Sequence, residues 1–233
     1  MSEGSLLVAS YNIHSCIGTD GKLAPERIAA VLHELDADIV ALQEVDAQHR
    51  ACGYLDQWAV LAEAAGYRCI PGISLRTHRR DYGNALFTRR PVETIRLHDL
   101  SIDKREPRGA IDVDVDVQGR ILRIISTHLG LRRQERRRQI ERLLGLMPGP
   151  AAGTLLLGDL NEWQPLSLNL RLLHRHFHSG RPAASFPSRF PLLALDRILA
   201  AGSARLGHIG AHASPLARTA SDHLPIRGVM RWA

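Results

Sequence analysis

The chain has 233 residues, of which 45% are hydrophobic and 23% charged, with a formal net charge of +6. That apolar fraction can bury a sizeable core and excludes a disordered or fibrous chain. No apolar run is long enough to span a bilayer, and the opening MSEGSLLVAS has no basic n-region, so neither a transmembrane segment nor a signal peptide is expected.

Cys16, Cys52 and Cys69 are an odd set without metal-ligand spacing and read as free thiols in a reducing cytoplasm. No Gly/Ser tract, Pro-rich linker or repeat divides the chain, so one domain over residues 1–233, acting as a monomer, is expected. The basic balance suits phosphate-bearing partners, although charge alone does not select a ligand.

In chain order, residues 6–13 read as a buried strand ending in Asn12, Ile13 and His14. Pro25 opens a helix whose Ile28, Val31, Leu32 and Leu35 follow helical spacing, and Asp36 and Asp38 stop it. Residues 39–42 form a second buried strand ending at Gln43 and Glu44, where a carboxylate is costly to bury unpaired. Residues 56–65 predict a helix, 67–70 a short strand, 76–81 a charged loop and 82–88 a strand carrying Asn84. Residues 111–117 alternate, with Ile111, Val113, Val115 and Val117 on one face and Asp112, Asp114 and Asp116 on the other. The aspartates read as a solvated outer face rather than a metal site. Gln118-Gly119 turns the chain into residues 121–126, and this second hairpin strand delivers Thr127, His128 and Gly130.

Residues 132–146 predict a helix carrying Arg132, Arg133, Arg136, Arg137, Arg138 and Arg142. Those side chains are either a phosphate-contact surface or a solvated face, the second being the simpler account. Residues 154–163, TLLLGDLNEW, join a buried strand to Asp159 and Asn161, a pair that reads equally as a turn or as a functional couple. Residues 166–177 predict a helix near whose end His174, His176 and His178 share no face, so no metal site is read there. Residues 185–193 read as a loop, 195–199 as a strand with Asp196 embedded, and Ser221, Asp222 and His223 precede a last strand at 226–230.

Asn12, Glu44, His128, Asp159, Asn161, Asp196, Asp222 and His223 thus share strand-terminal placement, which makes one converging site plausible. Hard oxygen donors with imidazole suit Mg²⁺ or Mn²⁺ rather than a thiolate-preferring metal.

The motifs YNIH, LQEV, GNALFTRRP, STHLG, GDLN, LDRIL and SDHLPI, in this order over residues 6–231, resemble the endonuclease/exonuclease/phosphatase superfamily. The resemblance implies a four-layered α/β sandwich, two facing mixed sheets flanked by helices, with the site at one edge. It implies a divalent-metal-dependent phosphodiesterase acting on a nucleic acid or on a lipid or small-molecule phosphodiester. By resemblance, Asn12 and Glu44 are metal-site residues, with Asp222 in or beside that site. Asp159 and Asn161 position and deprotonate the attacking water. His223 meets the scissile phosphate, oriented by Asp196, and His128 is the general acid for the leaving oxygen. Arg108 and Asn84 are expected at the substrate phosphate. The alternative reading is a non-catalytic nucleic-acid-binding protein using the basic helix from Arg132 to Arg142.

Overall fold

The structure is a computed structural model that describes residues 5–50, 53–147, 153–178 and 181–233. Along the chain come β1 (Leu6–Asn12), α1 (Pro25–Leu35), β2 (Ile39–Arg50), β3 (Gly53–Asp56), α2 (Gln57–Ala65), β4 (Arg68–Arg76) and β5 (Arg80–Thr88). Then follow β6 (Val92–Asp99), β7 (Gly109–Val117), β8 (Arg120–His128), α3 (Arg133–Gly145), β9 (Thr154–Asp159) and α4 (Leu168–Leu173). The last elements are β10 (Asp196–Ala201), β11 (Ala204–Ala211), α5 (Ala217–Ala220) and β12 (Ile226–Trp232).

Seven strands form one sheet, in the order β11-β12-β1-β2-β5-β4 with β3 beside β2, and five form the other, β10-β9-β8-β7-β6. Both are mixed: β1 runs parallel to β2 and β8 parallel to β9, while the other pairs are antiparallel. The two sheets face each other across a core that includes Val8, Ile39, Leu86, Val113, Ile124, Leu155 and Ile198. Helices α1 and α2 cover the outside of the larger sheet through Ile28, Leu32 and Leu61; α3 and α4 cover the smaller through Ile140, Leu143 and Leu170. Each such side chain, fully buried, contributes about 1.5–3 kcal/mol. The four-layered sandwich expected from the sequence is the fold observed.

Local chemistry sets the helix limits. Pro25 occupies the first turn of α1, and Asp36 ends it in a left-handed conformation at φ 44°. Asp56 caps α2 by accepting from the Ala59 N–H, and Ser167 caps α4 by accepting from the Leu170 N–H.

Several expectations need correction. The strand expected at 67–70 runs to Arg76, and the charged loop at 76–81 shrinks to the turn of a β4–β5 hairpin. The helix expected over 166–177 is only Leu168–Leu173. Strand β2 does not end at Gln43 but continues to Arg50, so Glu44 lies inside it, at a bulge. Strands β3, β6 and β11 were not expected. Asp112 is fully buried, not solvated: the outer face of β7 is roofed by Arg96, His98 and Arg123. Cys16 and Cys69 are free thiols, and Cys52 lies outside the described residues.

The register brings the polar strand ends together. His128 on β8 pairs with Asp159 on β9, which pairs with Asp196 on β10, so the three form one row across the smaller sheet. On the larger sheet Asn12 ends β1 opposite Gln43. At Gly158 the backbone adopts φ 149°, and a Cβ there would lie 1.8 Å from the Thr127 carbonyl oxygen. Only glycine lets β8 and β9 approach so closely just before the row of polar residues.

Candidate active site

The Asn12 carboxamide joins the two sheets. Its Nδ2 donates to Glu44 Oε1 at 2.9 Å and to Asp159 Oδ2 at 3.2 Å, while its Oδ1 accepts from the His14 N–H at 3.1 Å. These partners fix the amide orientation, so Asn12 meets the carboxylates with its nitrogen. It acts here as a bridge between the two carboxylates.

Glu44 reaches this place because β2 carries an extra residue. Leu42 pairs with Ala85 but Val45 with Gly83, and Glu44 takes φ 60°. His14, Ser15 and Cys16 also have positive φ, starting two residues after Asn12. That unfavourable backbone is held from outside: Gln57 donates to the Ser15 carbonyl at 2.8 Å and accepts from the Asp46 N–H at 2.9 Å. Strain held at the mouth of two strands is characteristic of functional sites.

Asp159 is the centre of the cluster. Its Oδ1 accepts from the Asn161 N–H at 2.9 Å, an Asx turn, and its Oδ2 lies 3.5 Å from His128 Nε2 and 3.9 Å from His223 Nε2. The turn expected at GDLN therefore forms, and it leaves the Asp159 carboxylate inside the cluster. The turn, with Asn161 at φ 52°, directs the Asn161 amide to Leu129 O at 2.9 Å and toward His128 Nε2 at 3.2 Å. Burial, reinforced by the neighbouring Asp196, raises the Asp159 pKa above the usual carboxylate range.

His223 Nδ1 lies 2.8 Å from Asp196 Oδ2, and the same oxygen accepts from the Ser185 hydroxyl. The Phe186 ring lies against the imidazole, centroids 4.9 Å apart. Burial alone would lower the His223 pKa, but Asp196, then Asp159 and Asp222, outweigh it and push it up to about 10. His128 is the opposite case. Its Nδ1 faces the Arg108 Nη1 donor at 3.2 Å, which leaves the proton of a neutral ring on Nε2, 3.5 Å from Asp159 Oδ2 and 3.2 Å from the Asn161 amide nitrogen. Burial first, then the charges of Arg108 and His223, hold its pKa well below the usual histidine value. The general-acid role expected for His128 needs a proton that these surroundings disfavour, and the neutral ring is the form that fits.

Asp222 is partly exposed, its Oδ1 3.9 Å from His14 Nδ1, and the adjoining Ser221 hydroxyl donates to the Asn12 carbonyl at 2.8 Å. Arg108 is buried against His128; Asn84 is buried with its Nδ2 3.5 Å from the Gly109 carbonyl on the facing sheet. Two places offer donors to a cation. Asp159, Asp196 and His223 present ligand atoms within 4.8 Å of one another. Glu44 offers a carboxylate that is partly exposed and accepts only from Asn12 among the described residues.

Sequence reasoning missed Ser185 and Phe186, which steady the Asp196–His223 pair from a stretch read only as a loop. It also missed Glu162 and Asn169. Glu162 lies buried beneath the Asn161 turn, accepting from Arg136 Nε and from Asn169 Nδ2, both at 2.6 Å. The acid directly after GDLN was the available signal.

The family model for the endonuclease/exonuclease/phosphatase family matches residues 9–223. The Escherichia coli K12 protein YbhP, itself described as uncharacterized, is 31% identical over 244 residues, covering 95% of this chain and 94% of its own. An endonuclease/exonuclease/phosphatase structure from Beutenbergia cavernae superposes with TM-score 0.80 at 22% identity, over 99% of this chain and 72% of that one. The mannosyl-6-phosphatase Bt3783 of Bacteroides thetaiotaomicron superposes with TM-score 0.76 at 19% identity, over 97% of this chain and all of that one (100%). Fold, motif placement and sequence agree: this chain belongs to the endonuclease/exonuclease/phosphatase family, whose members are phosphoesterases.

Proposed function

We propose that the chain is a divalent-metal-dependent phosphodiesterase that hydrolyses a P–O bond with an activated water. The observation that carries this is the convergence on Asp159 Oδ2 of Asn12, His128 and His223, drawn from both sheets. Glu44 and Asp222 would hold a Mg²⁺ or Mn²⁺ ion, whose chemistry is to polarise a phosphoryl oxygen. The fit rests on hard oxygen donors that reach solvent, Glu44 having one carboxylate oxygen already oriented by Asn12.

Asp159 takes the proton of the attacking water, a role its raised pKa suits better than that of an ordinary carboxylate. Asn161 fixes that water's place beside the carboxylate. His223, cationic and steadied by Asp196, turns Nε2–H toward charge growing on the phosphoryl oxygens. His128 accepts from Arg108 at Nδ1 and keeps its proton on Nε2, where the neutral ring donates a hydrogen bond to the phosphate. Arg108 adds fixed positive charge behind it.

The nucleic-acid-binding alternative loses support because the arginine helix is largely engaged. Arg136 is buried against Glu162, Arg137 pairs with Glu141, Arg138 with Asp103, and Arg142 donates to the Ser101 carbonyl. The test is hydrolysis of a chromogenic bis-aryl phosphodiester before and after chelation. EDTA should abolish turnover and Mg²⁺ or Mn²⁺ restore it, with Glu44→Gln requiring more metal at unchanged thermal stability. Full turnover in rigorously metal-free protein overturns the reading.

A further inference from the structure

The loops that carry the site also carry large apolar side chains directed to solvent: Leu131 after β8, Trp163, Leu166 and Leu168 after β9, and Phe190 and Leu192 before β10. Leu131 is 70% exposed, Leu166 76%, Phe190 77% and Leu192 79%. The other exposed large apolar residues among those described, Leu23, Val60, Ile95, Leu97 and Ile121, are spread over the approach to α1, α2, β6 and the start of β8. Soluble proteins seldom group such side chains without a use for them.

Guanidinium groups are interleaved with the apolar ones. Arg132 and Arg133 follow Leu131 directly, and Arg189 precedes Phe190. Arg133 lines an open groove of about 430 Å³ with Leu168 and Asn169, beside the Arg137–Glu141 pair, and Asn169 Nδ2 donates to the Arg133 carbonyl at 3.2 Å. The N-terminal ends of α3 and α4 therefore present cations and aliphatic side chains side by side.

Placement limits what can cover this surface. The same loops begin directly after His128 and Asp159 and hold Asn161, and the Phe190 loop reaches His223 through Phe186. Whatever settles on the rim lies on the loops that adjoin the site, and a partner that itself carries phosphodiesters would present them there. A nucleic acid supplies phosphates and negative charge, and Trp163 and Phe190 can stack on unpaired bases, but Leu131, Leu166, Leu168 and Leu192 neither stack on bases nor gain from a phosphate backbone. An anionic phospholipid layer supplies an apolar interior, acidic headgroups and phosphodiester bonds together.

We propose that this rim docks the protein on an anionic phospholipid bilayer, where the site meets a lipid phosphodiester. The substrate clause rests on the phosphodiesterase reading; the docking clause does not. In the reaction one water adds across a P–O bond, leaving a phosphomonoester and an alcohol.

The test is co-sedimentation of the full chain with phosphatidylcholine vesicles, with and without roughly a third phosphatidylglycerol, beside turnover of a soluble bis-aryl phosphodiester. Wild-type protein should sediment with the anionic vesicles, less so at high salt. The combined variant Leu166→Ser, Leu168→Ser, Phe190→Ser and Leu192→Ser should partition about 100-fold more weakly while hydrolysing the soluble ester at the wild-type rate. No vesicle binding by wild type, or equal binding by the variant, overturns the proposal. So does a loss of duplex-DNA binding in the variant with vesicle binding unchanged, or a dimer that the serines convert to monomer. Docking without hydrolysis of any phosphodiester would keep the surface and sink the phosphodiesterase reading; turnover without docking would do the reverse.

Discussion

Asp112 and Asp159 are buried aspartates on the same five-stranded sheet, and they have opposite surroundings. Asp112 accepts from Arg96 Nε at 3.0 Å, Arg123 Nε at 2.8 Å and His98 Nε2 at 2.9 Å, and both guanidinium groups bond it twice. Burial alone would raise its pKa, but Arg123, Arg96 and His98 hold it well below the carboxylate range. Asp159 has one side-chain amide, one backbone N–H, one cationic imidazole, His223, at 3.9 Å and another aspartate for company; burial and that aspartate outweigh the imidazole, and its pKa is raised. Burial is common to both; the supply of cations differs. A buried carboxylate saturated by guanidinium is structural, whereas one left short of positive charge retains proton affinity to use.

The largest effect expected of this contrast comes from Asp159→Asn, which should lower turnover about 10³-fold without lowering the melting temperature. A loss under tenfold would remove Asp159 from the chemistry. His128→Ala comes next, with about 10²-fold lost on an alkyl and on a nitrophenyl phosphodiester alike, because the neutral ring donates to phosphate and not to the leaving oxygen. A loss confined to the alkyl ester would restore the general-acid role and put a proton on His128.

The pH profile of kcat/KM separates the two aspartates further. Asp159 must be ionised, and its folded pKa is raised, so the rate should fall while pH is still above the ordinary carboxylate pKa of about 4. At the alkaline end the rate should fall near pH 10, as His223 loses its proton. An acid limb at the ordinary carboxylate value would separate Asp159 from the base role. The smallest effect is on stability. Asp112→Asn should cost about 2 kcal/mol at pH 7 and leave the turnover of folded protein intact. The sign follows from a lowered pKa: the stabilisation is present above the unfolded-state pKa of about 4 and disappears as pH falls through the folded value. Urea melts of wild type and variant should therefore converge in acid; a constant difference would show that packing, not charge, is what Asp112 supplies.

Much of this was legible because strand-end chemistry survives in sequence. The runs before Asn12 and Asp159 are apolar enough to read as buried strands, and the polar residues at their ends are the ones that meet. What escaped was set by context. Strand β6, VETIRLHD, and β11, ARLGHIGA, are edge strands whose mixed faces give no clean alternation. Asp112 read as solvated because Arg96 and His98, its partners, stand on a strand that sequence did not reveal. The low proton affinity of His128 could not be read at all, since it comes first from burial and then from Arg108, which lies 20 positions away in sequence and reaches it only across β7 and β8.

The extra residue in β2 has a consequence for comparing relatives. Antiparallel strands pair one for one, and Glu44 reaches Asn12 because β2 has one residue too many between Leu42 and Val45. A relative with a one-residue gap here would have a more regular ladder, keep its core and score as a near match. It would also have lost the carboxylate's aim toward Asn12. In this segment the alignment gap, not the substitution, is the mark of a homologue that has kept the fold and lost the Glu44–Asn12 contact.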